Sequence, residues 1–385
     1  MPGLNETPSG NRLRISFFGL RNAGKSTLVN AFTGQDLAIV SPVPGTTTDP
    51  VSKAMEILPL GPCVITDTAG LDDDQGELGA QRVAKTLRVL ETTDIAVWVS
   101  EVARGDEPSA AEAAAHARFL AVCRAHAVTV LDFHRGESAA ALRSRLAEVK
   151  VVDDTPGLLD GLASVGDRII CVCPIDASAP KGRLILPQVQ LLRDALDRHA
   201  TCAVCQTAEL AACLSAELLV PNRRVLVVTD SQAFGEVRDV LDSKSFAAAS
   251  DRIRLTSFSV LFARQKGDLD VFARGLEAVR ALRDGDTVLV AEGCTHHRQC
   301  NDIGTVKIPK ALTKLSGGKK LNFAFASGGE FSLDCALVVQ CGGCMLTRRE
   351  MLRRIALARD AGVPIVNYGL LLAAANGVPL ARVLP

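Results

Sequence analysis

The chain has 385 residues, 48% of them hydrophobic, with 43 Lys and Arg set against 43 Asp and Glu. That length predicts two or three domains, each with enough apolar residues for a core. Zero net charge excludes the basic excess that advertises nucleic acid or an anionic membrane as partner, and no run of about eighteen apolar residues is present to span a bilayer. The opening MPGLNETPSGN has no basic region followed by an apolar stretch, so the expected location is the cytoplasm. Twelve cysteines in that setting read as buried thiols, metal ligands or redox groups rather than a disulfide framework.

RISFFG (residues 14–19) reads as a short strand and STLVNAFTG as a helix closed by Gly34. Between them GLRNAGKS, Gly19 to Ser26, matches G-x-x-x-x-G-K-[ST] in the strand-loop-helix context that motif requires. Backbone N–H groups along Asn22, Ala23, Gly24, Lys25, Ser26 and Thr27 are expected to surround the phosphates of a nucleotide. Lys25 then sets a cation on the β and γ oxygens, and Ser26 offers its hydroxyl to Mg2+. PGTTTDP (44–50) supplies Thr46 and Thr47 as candidates to close over the γ-phosphate, Thr47 on Mg2+. CVITDTAG (63–70) reads as a strand ending in Asp67, which would hold the metal through water, with the Gly70 N–H sensing the γ-phosphate. LDDDQGELG, acidic and glycine-bearing, follows as a switch loop.

At these residues the chain resembles the translation-factor-like GTPases of the TrmE-Era-like group. The resemblance implies GTP as ligand and makes Asn22 a K+ ligand, K+ supplying the charge that an arginine finger gives elsewhere. Such GTPases read guanine with Asn/Thr-Lys-x-Asp after the next strand. Here the helix AAEAAAHARFLAVCRAH is followed by AVTVLDFHRGE, whose nearest match is Thr129-Val130-Leu131-Asp132, with Val in place of Lys. Asp132 is therefore either the guanine reader or an ordinary strand-end carboxylate, and the expected GTP hydrolysis is slow and switch-like.

Beyond residue 160 regular alternation sets in. DRIICVCPID (167–176) is a predicted strand and PQVQLLRDALDRHA (187–200) an amphipathic helix; TCAVCQ, TAELAACLSAELL and RRVLVVTD continue as strand, helix, strand. Cys202 and Cys205 form C-x-x-C, yet positions three apart in a strand face opposite sides of a sheet, so these read as buried thiols.

In the third region DTVLVA is a predicted strand leading to Glu292-Gly293-Cys294 and the stretch CTHHRQC. LDCALVVQ (333–340) is another, leading to Cys341-Gly342-Gly343-Cys344. TRREMLRRIALARDAG then starts a helix at a Thr347/Glu350 capping box and stops at Gly362. Both cysteine turns fall at the C-terminal edge of one parallel sheet, where open α/β folds gather their sites. Cys294, His296, Cys341 and Cys344 suit a closed Cys3His zinc site, and the three thiolates suit an iron-sulfur cluster with one exchangeable iron.

The GTPase motifs, then PIDASAPKGRLILPQVQLLRDAL, LTSFSVLFARQKGDL, CTHH with DIGTVKIP, and CGGCM, resemble the HydF family of FeFe-hydrogenase maturation GTPases over residues 12 to 380. That resemblance implies an α/β chain: a P-loop GTPase domain (1–163), then two smaller α/β domains with largely parallel sheets, one for dimerisation (164–262) and one for cluster binding (263–385). It implies a 4Fe-4S cluster on Cys294, Cys341 and Cys344, and a homodimer or higher oligomer. It also implies a diiron subcluster precursor as cargo, with apo FeFe-hydrogenase and two radical-SAM maturases as partners. Gln340 stands where the family usually has His, so a His ligand cannot be carried onto that position, and His296, solvent or a group from the cargo is left for the fourth iron.

Overall fold

Apolar strands alternating with helices bury both sheet faces, and the outcome is three sheets built almost wholly from parallel pairs. The computed structural model describes residues 7–34, 51–72, 76–150, 155–175, 182, 184–293, 302–328 and 331–384. The chain divides into two compact units, residues 1–154 and 155–385.

The first unit runs β1 (Leu13–Phe18), α1 (Lys25–Thr33), β2 (Val51–Ile57), β3 (Gly61–Asp67), α2 (Gly76–Glu91), β4 (Ile95–Val99), α3 (Ala110–Ala125), β5 (Thr129–Phe133) and α4 (Ala139–Glu148). The sheet order is β2-β3-β1-β4-β5; only the β2–β3 pair is antiparallel. The two-residue period sends Ile15, Phe17, Ile95 and Val97 onto Leu28, Phe32, Leu142 and Leu146, and sends Phe18, Ala96 and Trp98 onto Phe119 and Cys123. β1 and β4 are therefore central, and the loop after β1 opens at the sheet's C-terminal edge.

The second unit holds two four-stranded, all-parallel sheets. One, in the order β7-β6-β8-β9, comprises β6 (Arg168–Val172), α5 (Leu186–Asp197), β7 (Thr201–Cys205), α6 (Leu210–Leu218), β8 (Val225–Thr229), α7 (Phe234–Leu241), α8 (Lys244–Ala247) and β9 (Ile253–Ser257). Helices α9 (Phe258–Lys266) and α10 (Leu269–Ala278) lead into the other, β11-β10-β12-β13. It comprises β10 (Thr287–Glu292), α11 (Ile308–Leu315), β11 (Asn322–Ser327), β12 (Leu337–Gln340), α12 (Arg348–Asp360), β13 (Ile365–Asn367), α13 (Tyr368–Ala375) and α14 (Leu380–Val383).

One core is continuous through both sheets, from Val225, Val227 and Phe234 to Phe272, Val288 and Val339. The opposite face of the first sheet, Ile169, Cys171, Leu226 and Val228, packs on Leu191 of α5 and on Phe258, Leu261 and Phe262 of α9. The segments 164–262 and 263–385, expected as two domains, thus share their interior. Cys202 packs in the α9-side cluster and Cys205 in the continuous one, on opposite faces as the strand period requires.

α10 crosses β13 so closely that a Cβ on Gly275 would fall onto the Ile365 carbonyl. Gly275→Ala is therefore expected to destabilise the second unit by about 2 kcal/mol or more, read as a lowered urea midpoint by circular dichroism.

Candidate functional site

The first site is the turn from β1 into α1. Gly24, at φ 90°, holds a left-handed conformation that ends the loop and starts the helix. Asn22 also has positive φ, 66°, which an Asn tolerates better than most side chains. A Cβ on Gly19 would lie 2.5 Å from the Val99 carbonyl oxygen, and one on Gly70 would lie 2.8 Å from the Arg21 nitrogen. The loop is thus wedged between the ends of β4 and β3. Leu71 N–H donates to Gly19 O (3.2 Å) and Arg21 N–H to Asp72 Oδ1 (2.5 Å), which pin Asp67-Thr68-Ala69-Gly70 alongside.

Lys25 is buried, and its Nζ donates to the carbonyls of Leu20 (2.7 Å) and Gly19 (3.3 Å). Burial lowers its pKa; Asp67, Asp72 and Glu101 pull the other way. The Ser26 hydroxyl donates to Asp67 Oδ2 at 2.6 Å, so the two groups expected around Mg2+ already touch. The first turn of α1 holds no acidic residue, leaving its N–H end suited to phosphate. A hydroxyl against a buried carboxylate, a primary amine held by loop carbonyls and a glycine-led helix start fit a magnesium-bound nucleoside phosphate. Ala23 and Thr27 flank this group; Thr46 and Thr47 lie outside the described residues.

Asp132 sits on β5 opposite Trp98. Its carboxylate is 3.0 Å from His116 Nε2 of α3, and that imidazole stacks on Trp98 with ring centroids 4.8 Å apart. Asp132 therefore faces α3, and past the strand end the chain presents His134 and Arg135 instead.

The second site is the turn after β12. Strands β10 and β12 pair directly, and the N–H of Gly293, the residue before Cys294, donates to Cys341 Sγ at 3.1 Å. Cys294 and His296 themselves lie outside the described residues. Gly343, at φ 70°, passes so close to Met351 of α12 that a Cβ there would collide with its terminal methyl. The Thr347 hydroxyl accepts from Glu350 N–H, which starts α12 as the capping box predicts.

Burial raises the pKa of Cys341, partly offset by the N–H groups of Gly293 and Gly343 and by Arg354. Burial and then the neighbouring Cys341 push Cys344 up to about 11, with Lys266 opposing. Both are thiols at neutral pH, and a metal would have to displace their protons. N–H groups aimed at sulfur fit a thiolate-ligated metal.

Two residues around this turn, Arg354 and Lys266, escaped the sequence reading, and Gln340 links the first of them to the thiols. Gln340 is fully buried, its Oε1 accepting from Arg354 Nη1 (3.0 Å) and its Nε2 donating to Cys341 Sγ (3.5 Å). Arg354, also fully buried, pairs with Glu350 at 2.9 Å and donates to the Gly328 carbonyl. Lys266, at the end of α9, donates to three carbonyls of the thiol turn, and burial lowers its pKa to about 8 against the pull of Cys344 and Cys341. The one signal for Lys266 is its place at the end of a helix whose leading stretch, FSVLFA, is mostly apolar.

These features define a P-loop nucleotide-binding unit followed by an α/β unit that carries a thiol turn. Three family models match in register with them: the 50S ribosome-binding GTPase model over residues 14–130, the hydrogen maturase F dimerization domain over 158–267, and the hydrogen maturase F tetramerization domain over 270–385. The chain belongs to the hydrogen maturase F family.

Among curated relatives, the tRNA modification GTPase MnmE of Zymomonas mobilis is 41% identical over 91 residues, 23% of this chain and 20% of that protein. MnmE of Paracidovorax citrulli is 30% identical over 168 residues, 40% of this chain and 35% of that protein. The chain thus spans 35% or less of these two relatives. Aquifex aeolicus Era bound to GDP.AlF4- aligns at 15% identity and a TM-score of 0.26, over 89% of this chain and 97% of that one, too loose a likeness to carry weight.

Removing the Ser26 hydroxyl by Ser26→Ala is expected to weaken GTP binding about tenfold or more in Mg2+ and much less in EDTA, measured with a fluorescent GTP analogue. In the metal-free protein Cys344 is expected to alkylate slowly at neutral pH and faster as pH climbs toward about 11, followed by peptide mass spectrometry.

Proposed function

We propose that this protein is a GTP-binding scaffold and carrier for FeFe-hydrogenase maturation. GTP and Mg2+ occupy the loop from Asn22 to Thr27, with Ser26, Thr47 and Asp67 around the metal and Lys25 on the β and γ oxygens. Asn22 holds K+, and hydrolysis is slow, resetting a switch rather than performing cluster chemistry. Asp132 reads guanine only if it leaves His116.

In this reading Cys294, Cys341 and Cys344 hold a 4Fe-4S cluster, with His296 as the candidate group on its remaining iron. When bound, the cluster would supply one iron held by no cysteine, on which a ligand of the diiron precursor could replace His296 or solvent. The chain's own groups bury the sulfurs, donate N–H from Gly293 and Gln340, and fix the turn against α12. Cargo is received with the help of two radical-SAM maturases and passed to apo-hydrogenase, by a cytoplasmic homo-oligomer. No helix among the described residues is long and apolar enough to cross a membrane.

The observation that carries this reading is the Gly293 N–H on Cys341 Sγ, which brings the strand end before one cysteine segment onto the sulfur of the other. The test is anaerobic reconstitution of the full chain, counting iron, sulfide and zinc and recording EPR of the reduced protein. A 4Fe-4S signal that changes on adding cyanide or imidazole, and is lost in Cys341→Ser while GTP binding persists, is the expected result. Stoichiometric zinc without iron would overturn it in favour of a structural zinc site.

A further inference from the structure

Helix α9 reads FSVLFARQK, and Val260, Leu261, Phe262 and Ala263 are buried in it. Lys266 is buried with them, at 1% exposure. Withdrawing an ammonium from water costs several kcal/mol unless polar partners replace the solvent. No carboxylate forms an ion pair with Lys266 among the described residues. Its partners are the carbonyls of Leu346 (2.7 Å), Cys344 (3.1 Å) and Gly343 (3.3 Å), with the Phe262 ring 5.3 Å away. Three acceptors match the three N–H donors of an ammonium. All three belong to the turn that carries the thiols, some eighty residues further along the chain.

Two consequences follow from this geometry. The turn has to reverse at Gly343 and then enter α12, and one side chain gathers three of its carbonyls, so Lys266 holds the backbone that aims Cys344. The cation, with no carboxylate paired to it among the described residues, also places a positive charge behind two thiols. That arrangement is costly when the site carries no negative charge and favourable when the sulfurs are thiolates on an anionic cluster.

We propose that Lys266 is the positioning residue of the thiol site, ordering the turn before any metal arrives and stabilising the reduced, more negative state of the cluster bound there. The inference rests on the cluster reading above for its second half only. Lys266 lies inside the segment matched by the dimerization model, whereas Cys341 and Cys344 lie inside the one matched by the tetramerization model. The thiol site is therefore completed from the preceding segment.

The test uses the full chain as wild type, Lys266→Met and Lys266→Gln. In the metal-free protein, amide hydrogen exchange across residues 342–346 is expected to quicken about tenfold or more in Lys266→Met, while β6 and β8 keep their protection. Lys266→Gln retains two N–H donors without the charge and is expected to keep part of the turn's protection. In the reconstituted protein, an EPR-monitored redox titration is expected to give a more negative midpoint potential for both variants, because each loses the charge.

Unchanged exchange in the turn of Lys266→Met overturns the proposal. So does faster exchange with an unmoved potential, since that leaves Lys266 a packing residue. If Lys266→Met does not fold, Lys266→Gln decides by the same two readouts. Failure of the wild type to take up a cluster would sink the scaffold reading instead, and the exchange measurement on metal-free protein would still decide whether Lys266 orders the turn.

Discussion

A parallel strand cannot turn back on its neighbour, so every strand of a parallel sheet releases the chain at the same edge, with backbone groups that no further strand satisfies. Both candidate sites of this protein are answers to that constraint. At the end of β1 the chain turns through Gly19 to Gly24 and presents N–H groups; at the end of β12 it turns through Gly342 and Gly343 and presents thiols. In each case a buried lysine takes up the loose carbonyls: Lys25 those of Gly19 and Leu20, Lys266 those of Gly343, Cys344 and Leu346. The difference lies in how many. Lys25 has two such acceptors and is suited to exchange them for phosphate oxygens. Lys266 has three and is suited to stay where it is.

The strand ends set the rest of each site. The loop after β1 is wedged by the Val99 carbonyl on one side and the Asp67–Gly70 segment on the other, which brings Ser26 and Asp67 into contact. The thiol turn is clamped from three directions: Gly293 from β10, Met351 and Arg354 from α12, and Lys266 from α9. Burial of this kind keeps both thiols protonated until a metal claims them.

Much of this was legible because periodicity and turn chemistry are local. The glycine and lysine of the first loop, the strands 13–18 and 61–67, the Thr347 cap and the split facing of Cys202 and Cys205 are all fixed by neighbours in sequence. What was missed depends on distant partners. A place at a strand end leaves Asp132 open to either reading, and its contact with His116 on α3 is one that no spacing encodes. That Gln340 is no His ligand is plain from the sequence; that Arg354 turns its amide so that the N–H meets sulfur is not. The antiparallel edge β2, the edge strand β11 and the short strand β13 carry too little apolar alternation to stand out. The core shared between the segments 164–262 and 263–385 likewise depends on contacts between residues far apart in sequence.

The placement of Lys266 has a practical meaning for anyone recombining members of this family. The natural cut between the two maturase segments falls near residues 268–269, just after the lysine, and a chimera joined there would take its thiol turn from one parent and the clamp on it from the other. Compatibility at that joint depends on the shared core and, at the thiol turn, on one side chain reaching three backbone oxygens, so there it follows loop length and turn shape. Shuffled maturases would keep the turn intact when the exchanged block begins before α9.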